Sequence, residues 1–211
     1  MSILRLARRG LLVGVPVAAT VAVLVAPQAA SAHRPMARAT LKLADGTTIG
    51  RVLFFNDRDD AQTRVVVSVH VPAGTTVVRA FHGFHVHAND NPANGVGCIA
   101  DLHQPPATWF VSADGHLKSD DQVHGAHDGD MPSLLLNRDG TAKATFTTDR
   151  FEAAQLAGRA VILHAGSDNF GNVPVGTAAD QYTANSPAAV TKTQATGNAG
   201  DWVACGVVTT R

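Results

Sequence analysis

The apolar residues of this chain come in short runs that alternate in twos and end at turn residues, a pattern that excludes a helical bundle. Ala39 to Leu43 alternates, Asp45-Gly46 is a hairpin signal, and Thr48 to Phe55 resumes an extended run. Arg64 to Val71 is rich in valine and lies between the turn residues Asn56 to Asp60 and Pro72-Ala73-Gly74. Short strand candidates follow at Val77 to Arg79 and Phe84 to Ala88. Ser133 to Leu136, the turn Asn137-Arg138-Asp139-Gly140 and Thr141 to Thr147 form a further hairpin, and Ala160 to His164 and Val203 to Val208 complete about eight strands. Only Phe151 to Leu156 reads as helical. Short strands joined by Gly, Pro and Asp turns predict an all-β antiparallel sandwich or flattened barrel.

The first 32 residues stand apart from that pattern. Arg5, Arg8 and Arg9 precede an apolar stretch from Gly10 to Pro27, and Ala30-Ser31-Ala32 supplies a small-residue cleavage pattern, so residues 1–32 read as a cleaved secretory signal peptide. The competing reading is a membrane anchor. The uninterrupted apolar run is only about 17 residues, at the short limit for a span, and no basic stop-transfer flank follows it. No stable membrane span is therefore expected after cleavage. Arg8-Arg9-Gly10-Leu11-Leu12 also fits a twin-arginine address. The expected product, residues 33–211, is one domain that is secreted or held in the periplasm or cell envelope.

Charge narrows the partners. The chain has 17 Lys and Arg against 17 Asp and Glu. Three of the arginines belong to the leader, leaving 14 basic and 17 acidic residues, a net charge of about −3. There is no basic patch to predict nucleic-acid binding and no basic amphipathic helix to predict a membrane surface. The two cysteines, Cys98 and Cys205, read as a disulfide in an exported chain, with two buried thiols as the competing reading. Such a bond closes a loop of about 107 residues and on the chain-entropy model stabilises by ~4–5 kcal/mol.

Two segments lack strand periodicity: Asn89 to Pro132, and Ser167 to Gly200, which is rich in Ala, Thr, Asn and Gly. Loops of that length in a small domain are functional or disordered. The first carries histidines and one cysteine, which predicts a tied-down functional loop. All ten histidines lie after residue 32, six of them between His82 and His124. In Gly83-Phe84-His85-Val86-His87 the two imidazoles sit at i and i+2, on one face of a strand. His124, His127 and Asp130 collect two imidazoles and a carboxylate, a donor set suited to zinc. His164 ends an apolar strand candidate. Read alone it is equally a satisfied strand-end histidine, but four imidazoles from separate elements match copper's preference for nitrogen ligands.

Taken in order, GFHVH at 83–87, SADGH at 112–116, HDGD at 127–130, LHAGSDN at 163–169 and TGNAGDWVACGVV at 196–208 resemble the copper/zinc superoxide dismutases, over roughly residues 39 to 208. The resemblance implies a Greek-key antiparallel β-barrel or sandwich with two long loops over a metal site. It implies copper held by His85, His87, His116 and His164, and zinc held by His116, His124, His127 and Asp130. His116 then bridges the metals and is the catalytic residue, taking a proton on copper reduction and delivering it to the nascent peroxide. Asp168 matches the carboxylate that orients one ligand histidine of each metal, and Cys98 and Cys205 match the family's disulfide. The implied substrate is superoxide anion, converted to oxygen and hydrogen peroxide as copper cycles between Cu(II) and Cu(I).

Two departures from the family pattern matter. His124 and His127 are only three residues apart, and the segment from His116 to Asp130 resembles the shortened loops of actinobacterial copper-only relatives of the secreted bacterial type. Those have lost part of the zinc set, whereas this chain keeps a candidate for every ligand. The family's active-site arginine, three residues before the last cysteine, is here Trp202. Losing that cation from an acidic chain weakens attraction of the anion and opens an alternative function, a copper-binding or buffering protein with little turnover. Lys118, Arg159 and Lys192 are the remaining candidates to guide superoxide. His70, His82 and His103 read as strand or loop histidines, with His82 close enough to the copper motif to support it.

Overall fold

A computed structural model describes residues 34–56, 62–119, 121–171 and 183–211; the leader and His33 lie outside the described residues. Nine strands are present among them: β1 Ala37–Leu43, β2 Thr48–Asn56, β3 Thr63–His70, β4 Phe81–His82, β5 Phe84–His87, β6 Leu134–Leu135, β7 Thr141–Thr148, β8 Ala160–His164 and β9 Trp202–Thr210. Seven form one curled antiparallel sheet in the order β5-β8-β9-β1-β2-β3-β7, and β4 pairs with β6 in a small second sheet. The chain makes a meander through β1, β2 and β3 and crosses to the far edge at β5. It then returns beside β3 as β7, and crosses back to place β8 against β5. These are Greek-key crossings, and they bring both ends of the long first loop to the β5 edge.

Alternation builds the core. In β1, Ala37, Ala39 and Leu41 are buried while their neighbours face out, and Val65, Val67 and Val69 repeat the pattern in β3. Phe54, Phe84, Leu136, Leu156 and Leu163 fill the interior, each worth ~1.5–3 kcal/mol on burial. Phe54 meets Phe151 edge-on, with ring centroids 6.0 Å apart. β5 and β8 are buried on both faces, because the sheet covers one side and the loops cover the other.

Three expectations about elements are corrected. The strands on either side of the Asn137–Gly140 turn do not pair with each other: β6 pairs with β4 and β7 with β3. Val77 to Arg79 is not a strand; pairing begins at Phe81, opposite Leu135. The backbone acceptors there are taken by side chains: Arg79 donates to the carbonyls of Val77, Val71 and Pro72, and His82 Nε2 lies 2.8 Å from the Val78 carbonyl. Helix is also more extensive than expected. Phe151 to Leu156 contributes a short 3-10 turn at Ala153–Leu156, but the second loop contains a true helix, α1, over Pro187–Thr196. The Ser186 side chain accepts from the Ala189 N–H, Pro187 opens the helix, and Gly197 closes it at φ 65°.

Candidate metal centre

β5 sits at the edge of the large sheet, and the first long loop occupies its free side. The N–H of Val86 donates to Gly129, that of Leu117 to Val86, that of Ala88 to Gly115 and that of Asn89 to Ala113. His116 is thereby set opposite His87, and Asp130 opposite His85. Gly129 permits the approach, since a Cβ there would lie 2.2 Å from the Val86 carbonyl oxygen. On the paired side, His85 faces Ile162 and His87 faces Ala160 of β8. An irregularity between Leu163 and His164 at the end of β8 turns His164 into the same space. Cys98 and Cys205 are bonded, which ties this loop to β9.

The four imidazoles of His85, His87, His116 and His164 converge, with one ring nitrogen of each lying within 4.8 Å of the others. All four side chains are buried. One ring nitrogen of each lies beside a protein oxygen. His87 Nδ1 donates to the Asp114 carbonyl at 2.6 Å and His164 Nδ1 to the Gly200 carbonyl at 3.2 Å. His85 Nε2 lies 2.9 Å from Asp168 Oδ1, and His116 Nδ1 lies 3.0 Å from Asp130 Oδ1. His85 Nδ1, His87 Nε2, His116 Nε2 and His164 Nε2 are buried without a hydrogen-bond partner, and so is His85 Nε2, whose approach to Asp168 Oδ1 is a close contact rather than a hydrogen bond. Four bare acceptors facing one point are costly unless a cation joins them. The donor set suits copper.

A second group adjoins the first through His116. Asp130 Oδ2 accepts from the N–H groups of Gly125 and His127, which leaves Oδ1 facing the rings. Oδ1 is 3.0 Å from His116 Nδ1, 3.3 Å from His124 Nδ1 and 3.5 Å from His127 Nδ1. The donors that all lie within 4.8 Å of one another here are His85, His116, His124 and Asp130, a nitrogen and oxygen set of the kind zinc takes; the expected fourth ligand, His127, is not in that group but stands beside it, its Nδ1 3.1 Å from His116 Nδ1. His124 Nε2 lies 3.2 Å from Asp168 Oδ1, so a single carboxylate spans a histidine of each group. Ser133 Oγ donates to the other oxygen of Asp168 at 2.6 Å.

Electrostatics follow from that packing. Burial lowers His87 well below the ordinary histidine value, with the neighbouring His116 and His164 adding to the effect. Burial also lowers His116 to about 4 and His164 to about 3, outweighing the opposing pull of Asp130 and Asp168 respectively. His124 moves the other way. Burial opposes its charge, but the hydrogen-bonding carboxylates of Asp130 and Asp168 win and raise it to about 9. Asp130 and Asp168 are both held below the carboxylate range, their own burial being overcome by the histidines against them.

Several neighbours were not singled out by sequence. Trp202 sets its ring edge-on to His87, centroids 4.7 Å apart at 78°, and lies 6.2 Å from the His164 ring; its position was read as a lost arginine, not as a contact. Phe170 stacks on His124 at 5.3 Å. Arg150 Nη1 donates to the carbonyls of Ala126 and His127. Asp114 has φ 63° and ψ −168°, a conformation costing about 1–3 kcal/mol for any residue with a side chain. Of the cations expected to replace the arginine, Arg159 is committed to the Ala88 carbonyl and the Asp90 carboxylate. Lys118 acts on His127, and Lys192 lies exposed on α1. His82 is buried, with Nδ1 2.7 Å from the His164 carbonyl. His70 and His103 are exposed.

The chain is similar to known proteins. A family model described as copper/zinc superoxide dismutase matches residues 48–208. The chain is 33% identical over 190 residues to the superoxide dismutase [Cu-Zn] of Mycolicibacterium paratuberculosis, an alignment covering 87% of this chain and 78% of that protein. It is 32% identical over 176 residues to the corresponding proteins of Mycobacterium bovis and Mycobacterium tuberculosis, covering 80% of this chain and 68% of each. The fold is also that of the crystal structure of the clock protein EA4, with a TM-score of 0.55 at 22% identity, covering 84% of this chain and 96% of that one. The five ordered motifs, the fold and the family match agree: the chain belongs to the copper/zinc superoxide dismutase family.

Proposed function

We propose that this protein is an exported superoxide dismutase in which His85, His87, His116 and His164 hold copper, while His116, His124, His127 and Asp130 hold zinc. The observation that carries this reading is the set of four converging histidines, each with a buried ring nitrogen that has no hydrogen-bond partner and with its other nitrogen within 3.2 Å of a protein oxygen. Copper, when bound, supplies one-electron exchange with superoxide, and zinc contributes charge without redox chemistry.

The chain's own residues do the rest. The Asp114 and Gly200 carbonyls fix the Nδ1–H tautomers of His87 and His164, which presents Nε2 of each inward. Asp168 orients His85 and His124 together, so the two groups share one support. Among the described residues His85 and His116 belong to both groups of converging donors, and His116 Nδ1 lies 3.0 Å from Asp130 Oδ1. His116 Nε2 is the atom at which a proton is held and released to the product. Burial keeps the metal-free ring neutral. Asp130 keeps the Nδ1 side of the same ring in place.

Export is inferred from the leader at residues 1–32 and agrees with the Cys98–Cys205 disulfide, since such bonds persist in oxidising compartments. No helix among the described residues is long and apolar enough to cross a membrane. Trp202 favours a second reading, a copper-binding or buffering protein of low turnover, because an uncharged ring stands against His87 and His164. The test is to purify the protein, count copper and zinc per chain and follow superoxide decay. One copper with accelerated decay supports the enzyme. One copper without acceleration selects the buffering reading, and a chain without copper overturns both.

A further inference from the structure

The strained residue beside the four-histidine centre is Asp114. Its φ of 63° and ψ of −168° form a combination that glycine adopts freely and other residues avoid. The next residue is a glycine, yet the strained position itself carries a side chain. Something must hold it there, and the structure shows what. Asp114 Oδ2 accepts from the backbone N–H of Asp90 at 2.8 Å and of Asn91 at 3.0 Å, and Oδ1 accepts from Asn94 Nδ2. These donors belong to one turn. Asn91 caps its 3-10 helix, Pro92–Asn94, by accepting from the Ala93 N–H. Arg159 braces the turn from behind through the Asp90 carboxylate and the Ala88 carbonyl.

The other end of Asp114 reaches the centre. Its carbonyl accepts from His87 Nδ1 at 2.6 Å. The backbone on either side is pinned by the bonds from Asn89 N–H to Ala113 and from Ala88 N–H to Gly115. We propose that Asp114 is a positioning residue: its carboxylate, anchored on the Asp90–Asn94 turn, holds its own carbonyl against His87 and so fixes that ring's tautomer and direction. The residue touches neither metal nor substrate and acts through His87. His116, two residues further on, leaves the same clamp.

Removing the carboxylate lets the backbone relax towards an ordinary φ, swings the carbonyl off His87 and frees the ring to exchange its proton between nitrogens. Glycine at 114 tolerates the same φ but has no anchor, so strain and anchoring can be separated. Asparagine keeps an acceptor oxygen for the turn.

This role rests on the reading of His87 as a copper ligand, and the test keeps the two apart. In the full chain without metal, nitrogen chemical shifts of His87 should report the Nδ1–H tautomer in wild type and D114N, and a tautomer mixture in D114A and D114G. With copper(II), chelator competition should show D114A and D114G binding about 10–100-fold more weakly than wild type, the range seen when the partner of a ligand histidine is lost. Their paramagnetic resonance spectra should change, while D114N resembles wild type. D114G should unfold at a higher temperature than D114A and still share its copper defect, which a purely structural role would not produce. If D114A fails to fold, D114G against D114N decides the matter by the same readouts. A D114A or D114G chain with wild-type tautomer, affinity and spectrum overturns the positioning role. A wild type that keeps the Nδ1–H tautomer but binds no copper overturns the copper reading and leaves the clamp on His87 standing.

Discussion

The chemistry rests on single ring nitrogens, and at that scale sequence and structure divide the information unevenly. That His85 and His87 would converge was legible because a strand puts i and i+2 on one face, and that His116, His164, His124 and Asp130 would join them was legible through ordered motifs. Their supports were not. The acceptors for His87 and His164 are backbone carbonyls of Asp114 and Gly200, which every residue possesses, and Ser133 under Asp168 is an ordinary serine until the fold places it. Trp202 was visible as a departure, but its edge-on contact with His87 was not. Trp202→Arg should raise the rate of superoxide decay by ~10-fold or more and make it fall more steeply with salt, as expected for restored attraction of an anion. An unchanged rate would mean another group guides the substrate. His127→Ala should lower zinc content while sparing copper, read by elemental analysis, because His127 Nδ1 faces Asp130 and His116 rather than the copper-side nitrogens.

Elements explain how these residues meet. β5 is a short edge strand whose free side is filled by the long loop, so the loop behaves as an irregular extra strand and delivers His116 and Asp130 in register. Nothing in the loop's own sequence announces that pairing, because it depends on β5 being left open by the sheet order. α1 was missed for a different reason. Only Ala189 and Thr193 of its residues are buried, so it lacks the apolar stripe that marks a helix, although Ser186-Pro187 and Gly197 were start and stop signals in plain view. The C-terminal end of α1 has a consequence for the site. A Cβ on Gly197 would lie 2.4 Å from His124 Nε2 and 2.7 Å from Asp168 Oδ1, at a φ of 65°. Gly197→Ala should therefore cost about 1–3 kcal/mol in thermal unfolding and weaken zinc retention by displacing His124. Normal zinc content with unchanged stability would show that the helix end is free to move.

At the scale of the whole molecule, the all-β class, the disulfide and the two loops followed from sequence, whereas the strand order that leaves β5 at an edge required the fold. The same packing makes the metal-free protein pH-sensitive in two directions. His87, His116 and His164 are depressed below the unfolded histidine value of about 6.5, with His116 at about 4 and His164 at about 3. The unfolded chain therefore binds more protons, and their contribution to stability is lost as pH falls from about 6.5 through those values. His124, raised to about 9, contributes stability that is full below about 6.5 and is lost as pH rises through 9. Metal-free protein should thus unfold at lower temperature at pH 4.5 than at pH 6.5, and loading with copper and zinc should raise its unfolding temperature near neutral pH. Zinc must also displace the proton on His124, so its affinity should rise from pH 6.5 to 9; a flat or falling trend would contradict the ion-pair geometry at Asp130 and Asp168.

The central claim is that four buried imidazoles form a working copper centre despite Trp202. Stopped-flow decay of superoxide, measured on protein carrying one copper per chain and on the same preparation stripped of metal, tests it most directly. Catalysed decay with copper that vanishes on stripping and is lost in His164→Ala is the predicted result. Decay no faster than in the stripped protein, with copper present on the chain, would contradict it.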